Sequence, residues 1–115
     1  FWGIGLTPLG VAQFLGVNVA QIADQFSDIA DHPATGPLHD LLRHLVHTRN
    51  TVDGDVVRMN AHFRALLDPP HPHGNMIEAT HRALLCDGEP SVARVAAMVG
   101  VNTRTLERLC ARYFG

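Results

Sequence analysis

The last stretch of the chain, residues 91–115, contains two short amphipathic patterns separated by a tight turn. Apolar residues recur at i, i+3, i+4 and i+7 in both patterns, which is the apolar stripe of an α-helix. These positions are Val92, Val95, Ala96 and Val99 in the first pattern and Leu106, Leu109, Cys110, Tyr113 and Phe114 in the second. Because only a few residues around Gly100 separate the two patterns, they predict a helix-turn-helix.

The residues around this turn have the chemistry that the motif needs. Ala96 is small enough to let the two helix backbones approach closely where they cross. Gly100 follows the first helix, where the backbone requires a positive φ that glycine adopts without strain. Ser91 and Asn102 stand before the two helices, where a side-chain oxygen can cap the first turn. These residues predict where both helices begin and where the first one ends.

The outward face of the second helix carries arginines and almost no acid. At about 100° per residue, Arg104, Arg108 and Arg112 fall within roughly 80° of one another, opposite the apolar stripe. Arg94 adds a fourth positive charge to this region, in which Glu107 is the only acid. The alternative is an ordinary solvated helix face, but such faces usually mix charges of both signs. A cationic face suits the major groove of DNA, because arginine pairs bidentately with guanine or neutralises phosphate.

These features define a set of candidate DNA-contacting residues. The set consists of Asn102, Thr103, Arg104, Glu107, Arg108, Arg112 and Arg94. Within it, Arg104, Glu107 and Arg108 are expected to contact base edges, where a glutamate can accept a hydrogen bond from cytosine N4. The remaining four are expected to contact phosphates, partly through the helix N-terminus.

The segment from Ala96 to Gly115 reads A-x-x-x-G-V-N-x-R-T-L-E-R-L-x-x-R-Y-F-G. It resembles the first helix-turn-helix of the AraC/XylS-type transcription regulators. Asn102 stands where the family usually has serine, and Cys110 where it usually has phenylalanine. The three base-edge candidates match the base-reading positions of the family's motif. The resemblance implies a transcription regulator that binds double-stranded DNA, with a recognition helix at about 103–114 in the major groove.

A looser resemblance covers Trp2–Val17, which reads W-G-I-x-L-x-P-x-G-x-x-x-F-L-G-V. It is similar to the end of the β-rich sensor domain of some regulators of this family. We therefore expect residues 1–68 to be the end of a sensor domain plus a helical connector, and 75–115 to be the first helix-turn-helix. The Pro-rich residues 69–74 form the predicted linker between them. The earlier sensor strands and the family's second helix-turn-helix are then missing, as in a piece of a longer protein.

Upstream of residue 91 the apolar spacing predicts further helices. The expected spans are about 8–15, 19–26, 38–48, 53–67 and 76–86. The span 38–48 has a predicted apolar stripe of Leu38, Leu41, Leu42, Leu45 and Val46. Thr7 and Pro8 begin the first of them, and residues 1–6 are a short extended segment that we interpret as a strand remnant. The predicted fold is all-α, a small bundle of about six helices that ends in the helix-turn-helix.

The net charge of −2 taken alone argues against a DNA-binding protein, but the distribution of charge along the chain favours one. Residues 1–81 carry four arginines and eight acids, a net charge of −4, whereas residues 82–115 carry five arginines and three acids, a net charge of +2. Such asymmetry is typical of an acidic body joined to a nucleic-acid-binding part. The apolar runs are all shorter than the roughly 20 residues of a membrane span. Cys86 and Cys110 lie on apolar stripes and are expected to be buried free thiols, which predicts a cytoplasmic location.

Other functions receive less support from the residues. The histidine pairs His44 and His47, and His71 and His73, lack the third and fourth ligands and the cysteine or carboxylate support that a zinc site needs. We therefore predict no metal and no cofactor. The near-neighbour acids lie at helix starts and in loops, and no nucleophile motif or phosphate-binding glycine pattern occurs, so we predict no enzyme activity.

Two further partners and one alternative function stay open. A homodimer could form through the apolar run Phe1–Leu6, and a small-molecule effector of unknown identity is implied by the family resemblance. The alternative function is a helical dimerisation or signal-relay module. In it, the helices between Leu38 and Leu67 transmit a signal, and the helix-turn-helix serves packing without binding DNA.

Overall fold

A computed structural model of the chain describes residues 3–28, 30–47, 51–86 and 88–115. Six α-helices and no strand lie within these residues, so the predicted all-α fold is confirmed. The helices are α1 (Pro8–Phe14), α2 (Gly36–His47), α3 (Val52–Ala65), α4 (Gly74–Leu84), α5 (Val92–Val99) and α6 (Thr103–Tyr113). Two short 3₁₀ turns, Val19–Gln21 and Pro33–Thr35, lie between α1 and α2.

Side-chain caps determine where four of the helices begin. The capping residues are Thr7, Thr51, Ser91 and Asn102, and their side-chain oxygens accept hydrogen bonds from the N–H groups of Gly10 (3.1 Å), Gly54 (3.2 Å), Arg94 (3.3 Å) and Thr105 (2.8 Å). Each cap satisfies a backbone donor that the helix itself leaves unpaired. The caps predicted at Thr7, Ser91 and Asn102 are therefore confirmed.

One part of the core joins α1 to α4 and α6. Its buried members are Ala12, Ile77, Leu109 and Tyr113. Leu9, Met76 and Phe114 are partly buried against them. Full burial of a large apolar side chain contributes about 1.5–3 kcal/mol, so this cluster holds α1 firmly on the C-terminal helices.

A second part of the core joins α4, α5 and α6. Its buried members are Ala83, Val95, Ala96 and Leu106. The small side chain of Ala96 is 3% exposed, as expected for the position where the helices of the motif approach closely. The helices α4 and α6 thus contribute to both core clusters, whereas α1 belongs only to the first and α5 only to the second.

The helices α2 and α3 pack on each other and extend the molecule, whose principal dimensions are 50 × 28 × 27 Å. Leu38, Leu41 and Leu45 form the buried stripe of α2, as predicted. The ring centroids of Phe14 on α1 and Phe63 on α3 are 4.8 Å apart, which connects this pair to the rest of the chain. The residues between the two helices, 48–50, lie outside the described residues.

Two predictions about the N-terminal part are wrong. The helix predicted over 19–26 is only the 3₁₀ turn Val19–Gln21, and Phe26 is fully exposed. Asp24 adopts a φ of 57°, a left-handed conformation that a right-handed helix cannot continue through. The strand predicted over 1–6 is not formed at residues 3–6, because no neighbouring strand exists among the described residues; Phe1 and Trp2 lie outside them.

The predicted burial of several side chains is also wrong. Cys86 is exposed because α4 ends at Leu84, so the residue falls beyond the apolar stripe of that helix. Val92, in the first turn of α5, is 52% exposed, and Val46, near the end of α2, is 75% exposed. Both cysteines are free thiols as predicted, and burial raises the pKa of the Cys110 thiol.

Candidate nucleic-acid interface

The corner between α5 and α6 is a glycine-based helix end. Gly100 has a φ of 78°, as its position after the first apolar stripe predicts. Its N–H donates to the carbonyl of Ala97 (3.3 Å), and the N–H of Val101 donates to the carbonyl of Ala96 (3.0 Å). This pair of bonds is the Schellman motif, which satisfies carbonyls at the end of a helix. The corner therefore holds α6 at a defined angle to α5.

The two faces of α6 differ in the way the sequence predicts. Leu106, Leu109 and Tyr113 are 3%, 6% and 5% exposed, respectively, and face the core. The charged residues of the helix are exposed and consist of Arg104, Glu107, Arg108 and Arg112. Burial of the apolar stripe leaves the arginine face of α6 directed to solvent.

Among the described residues, the arginines of α6 have no acidic partner. Within the described residues no ion pair involves Arg104, Arg108 or Arg112. By contrast, Arg82 on α4 pairs with Glu78 at 3.5 Å, and Arg43 on α2 pairs with Asp40. The guanidinium carbon of Arg112 lies 5.5 Å from the ring centroid of Tyr113, a distance suited to a cation–π contact. The positive charge of this face is therefore available to an external anion.

The other candidate residues lie at two places. Asn102 and Thr103 are exposed at the N-terminus of α6, where the Asn102 side-chain oxygen already accepts from Thr105. Arg94 is exposed on α5 and lines a small depression with the loop before α5, next to Glu89 and Met98. The structure thus brings six of the seven candidates together on α6 and its cap, whereas Arg94 lies on α5.

A cluster of rings that the sequence pattern does not indicate lies beside α6. Nδ1 of His73 lies 2.9 Å from the hydroxyl oxygen of Tyr113, and the ring centroids of His71 and Tyr113 are 5.5 Å apart. The pKa of His71 is lowered from its ordinary value of 6.5, first by burial and then by the positive charges of His73 and Arg112. The apolar spacing of α6 predicts Tyr113 as a core residue, but nothing in the sequence pattern indicates its contact with the Pro-rich segment.

The described residues contain no group of three or more His, Cys, Asp or Glu side chains close enough to hold a metal ion. In the same part of the chain, no helix combines the length and the apolar character needed to cross a membrane.

No protein-family model, curated protein or solved structure matches the chain. The likeness to AraC/XylS-type regulators therefore depends on the residues from Ala96 to Gly115 and on the looser pattern at Trp2–Val17.

Proposed function

We propose that the chain is a sequence-specific DNA-binding part of a transcription regulator of the AraC type, with α6 as the recognition helix. The observation that carries the proposal is the exposed arginine face of α6, which has no acidic partner among the described residues. A helix of this kind, held by a capped corner against a second helix, is the arrangement that docks in the major groove. The proposal assigns the chain no catalytic activity.

The proposed contacts divide into two classes. Arg104, Glu107 and Arg108 would contact base edges, because they follow the N-terminus of the helix on its exposed side. The remaining candidates would contact phosphates and fix the position of the helix; they are Asn102, Thr103, Arg112 and Arg94. Since Arg94 lies on α5, it would contact a phosphate apart from those bound by α6.

A single helix-turn-helix contacts few phosphates and few bases, so we expect weak and salt-dependent binding. The logarithm of the binding constant should fall linearly with the logarithm of the salt concentration, by about 0.9 per phosphate contact. Dimerisation would increase the affinity, because two copies would contact two half-sites.

The test is a titration of duplex DNA, selected from a random pool, with the chain at several salt concentrations. Replacing both Arg104 and Arg108 by glutamine should weaken binding at least about tenfold, the loss expected for one charged contact of about 1.4 kcal/mol. The matched control replaces Arg58 and Arg64, two exposed arginines on α3, and changes the net charge equally. Absence of binding by the unchanged chain at low ionic strength would contradict the proposal.

The second candidate is a helical dimerisation or signal-relay module, and one observation favours it. Apolar side chains on the surface of α2 and α3 are strongly exposed: Val46 is 75%, Val57 68% and Val52 65% exposed. Exposed apolar side chains in one region are common where proteins associate. Sedimentation of the chain and of a Val57→Glu variant tests dimerisation through α2 and α3. Because the DNA-binding proposal also allows a dimer, the two functions are distinguished by the DNA titration, in which a dimerisation or relay module would bind no duplex at low ionic strength.

A further inference from the structure

A groove runs along α6 on the side that faces the 3₁₀ turn Val19–Gln21, which packs against this helix. Its volume is about 540 Å³, within the range of small-molecule sites in proteins. Arg108 and Arg112 line it from α6, one helical turn apart, and His73 lines it from the segment before α4. Asn18, which caps the 3₁₀ turn, also lines it. Four separate groups that can donate hydrogen bonds thus surround one groove.

The charge of the groove has one sign. Two guanidinium groups line it, and none of its lining residues is an aspartate or glutamate. Arg108 and Arg112 have no acidic partner in the described part of the chain. Arg112 is held over the ring of Tyr113 by their contact at 5.5 Å. An anion entering the groove would therefore meet positive charge that the protein itself leaves unneutralised.

Asn18 and His73 add two further polar groups to the groove. The Asn18 oxygen accepts from the N–H of Ala20 (3.2 Å), so the NH₂ of this amide is the group that it can offer. When the Tyr113 hydroxyl donates to Nδ1 of His73, Nε2 carries the ring proton and can donate to a ligand. The lowered pKa of neighbouring His71, caused by burial and then by His73 and Arg112, is consistent with a positive potential at this end.

The floor of the groove is apolar. Met76 from α4 and Leu109 and Ala111 from α6 contribute apolar surface to its lining. An apolar floor beside hydrogen-bond donors suits a ligand that has both a carbon skeleton and a polar group. The floor removes the carbon skeleton from water, and the donors orient the polar group.

We propose that this groove binds a small organic anion, a carboxylate or phosphate ester whose charged group lies between Arg108 and Arg112. The charged group would accept hydrogen bonds from the two guanidinium groups, which are short and strong when both partners are ionised. The proposed ligand is a small organic anion and not DNA, but two arginines of the groove, Arg108 and Arg112, are also proposed DNA contacts. If the proposed function holds, a bound anion occupies these arginines and competes with DNA.

Binding is tested without DNA, by titrating the ¹⁵N-labelled chain with phenyl phosphate at constant ionic strength. We expect chemical-shift changes confined to residues around the groove. Benzyl alcohol, which is neutral, should not bind, and inorganic phosphate should bind more weakly than phenyl phosphate. Shifts spread over all arginines, or none near α6, would overturn the proposal; equal affinity for inorganic phosphate would overturn the role of the apolar floor.

Variants separate the groove from general attraction between charges. Arg112→Gln should weaken phenyl phosphate binding about tenfold or more, as the loss of a charged hydrogen bond predicts. Arg64→Gln removes the same charge from α3, outside the groove, and should leave the affinity unchanged. Arg112→Gln also removes the contact of Arg112 with Tyr113. Arg108→Gln is therefore a second test variant, and it should weaken phenyl phosphate binding by a similar factor. Equal affinities for Arg108→Gln and Arg64→Gln would overturn the proposal.

A competition experiment connects the two proposals but keeps them distinguishable. Phenyl phosphate should displace a bound duplex from the unchanged chain. If the chain binds no DNA, the titration without DNA still measures the groove. If the groove binds no anion, the salt titration still measures the DNA contacts.

Discussion

The side-chain oxygen of Gln13, on α1, accepts a hydrogen bond of 2.6 Å from the main-chain N–H of His71. The side-chain nitrogen of Gln13 donates to the carbonyls of Leu66 (2.9 Å) and Pro69 (3.0 Å). One side chain therefore ties the end of the α3 region and the Pro-rich segment to α1. Two residues of the predicted linker at 69–74, Pro69 and His71, are thus hydrogen-bonded to α1, so the linker is not a flexible connection.

Replacing Gln13 by alanine should lower the free energy of unfolding by about 1–3 kcal/mol, because it leaves partly buried backbone groups without partners. Chemical denaturation followed by circular dichroism measures the change. The matched control is Gln21→Ala, an exposed glutamine whose loss should change stability by less than about 0.5 kcal/mol. Equal effects of the two substitutions would show that the Gln13 hydrogen bonds contribute nothing to stability.

Gly100→Ala should destabilise the chain by about 1–2 kcal/mol, because an L-residue is strained at a positive φ. Apart from the two neighbouring residues, no described atom lies within 4 Å of the added carbon, so contact with the rest of the chain plays no part. Gly100→Asn should cost less, since asparagine tolerates this conformation better. The control is Gly5→Ala, where the space is also open but φ is not in the left-handed region. Thermal denaturation of the three variants measures the order of their stabilities.

Stability should fall as the pH drops below 6.5 through the titration of His71. Its pKa is lowered in the folded chain by burial and by His73 and Arg112, so the unfolded chain takes up the proton first. In addition, Nδ1 of His71 accepts from the N–H of His73 (3.1 Å), a bond that protonation of this nitrogen breaks.

His71→Asn keeps an acceptor near this position and removes the titration. The loss of stability between pH 7 and pH 5, measured by urea denaturation, should be smaller in the variant than in the unchanged chain. The loss of stability due to His71 should be complete only below the pKa that His71 has in the folded chain. Identical pH profiles for the two proteins would contradict the assignment to His71.

Arg108→Ala and Arg112→Ala should weaken DNA binding in different ways. The Arg108 variant should lose about 1–3 kcal/mol and relax the preference at one base position. The Arg112 variant should lose affinity uniformly on all duplexes and reduce the salt slope by about one. Binding of a duplex panel with single base changes, at two salt concentrations, measures both effects. A uniform loss for Arg108→Ala would reassign this residue to a phosphate.

The sequence alone determined the helix-turn-helix region, because its signals are local. Caps at Ser91 and Asn102, a positive φ at Gly100 and the apolar stripe of α6 each depend on neighbours within one or two turns. Local geometry also decides which face of α6 carries the arginines once its apolar stripe is buried. The same kind of signal predicted the start of α1 at Thr7 and the buried stripe of α2.

Only the tertiary structure decided which helices share a core. Ala12 on α1 packs with Ile77 and Tyr113, residues far along the chain, and no local pattern encodes that pairing. For the same reason no local pattern predicted the contact of His73 with Tyr113 or the groove beside α6. The apolar spacing at 19–26 predicted a helix, yet burial depends on a partner surface, and Phe26 has none within the described residues. Periodicity shows that a face can be buried, whereas long-range packing decides whether it is.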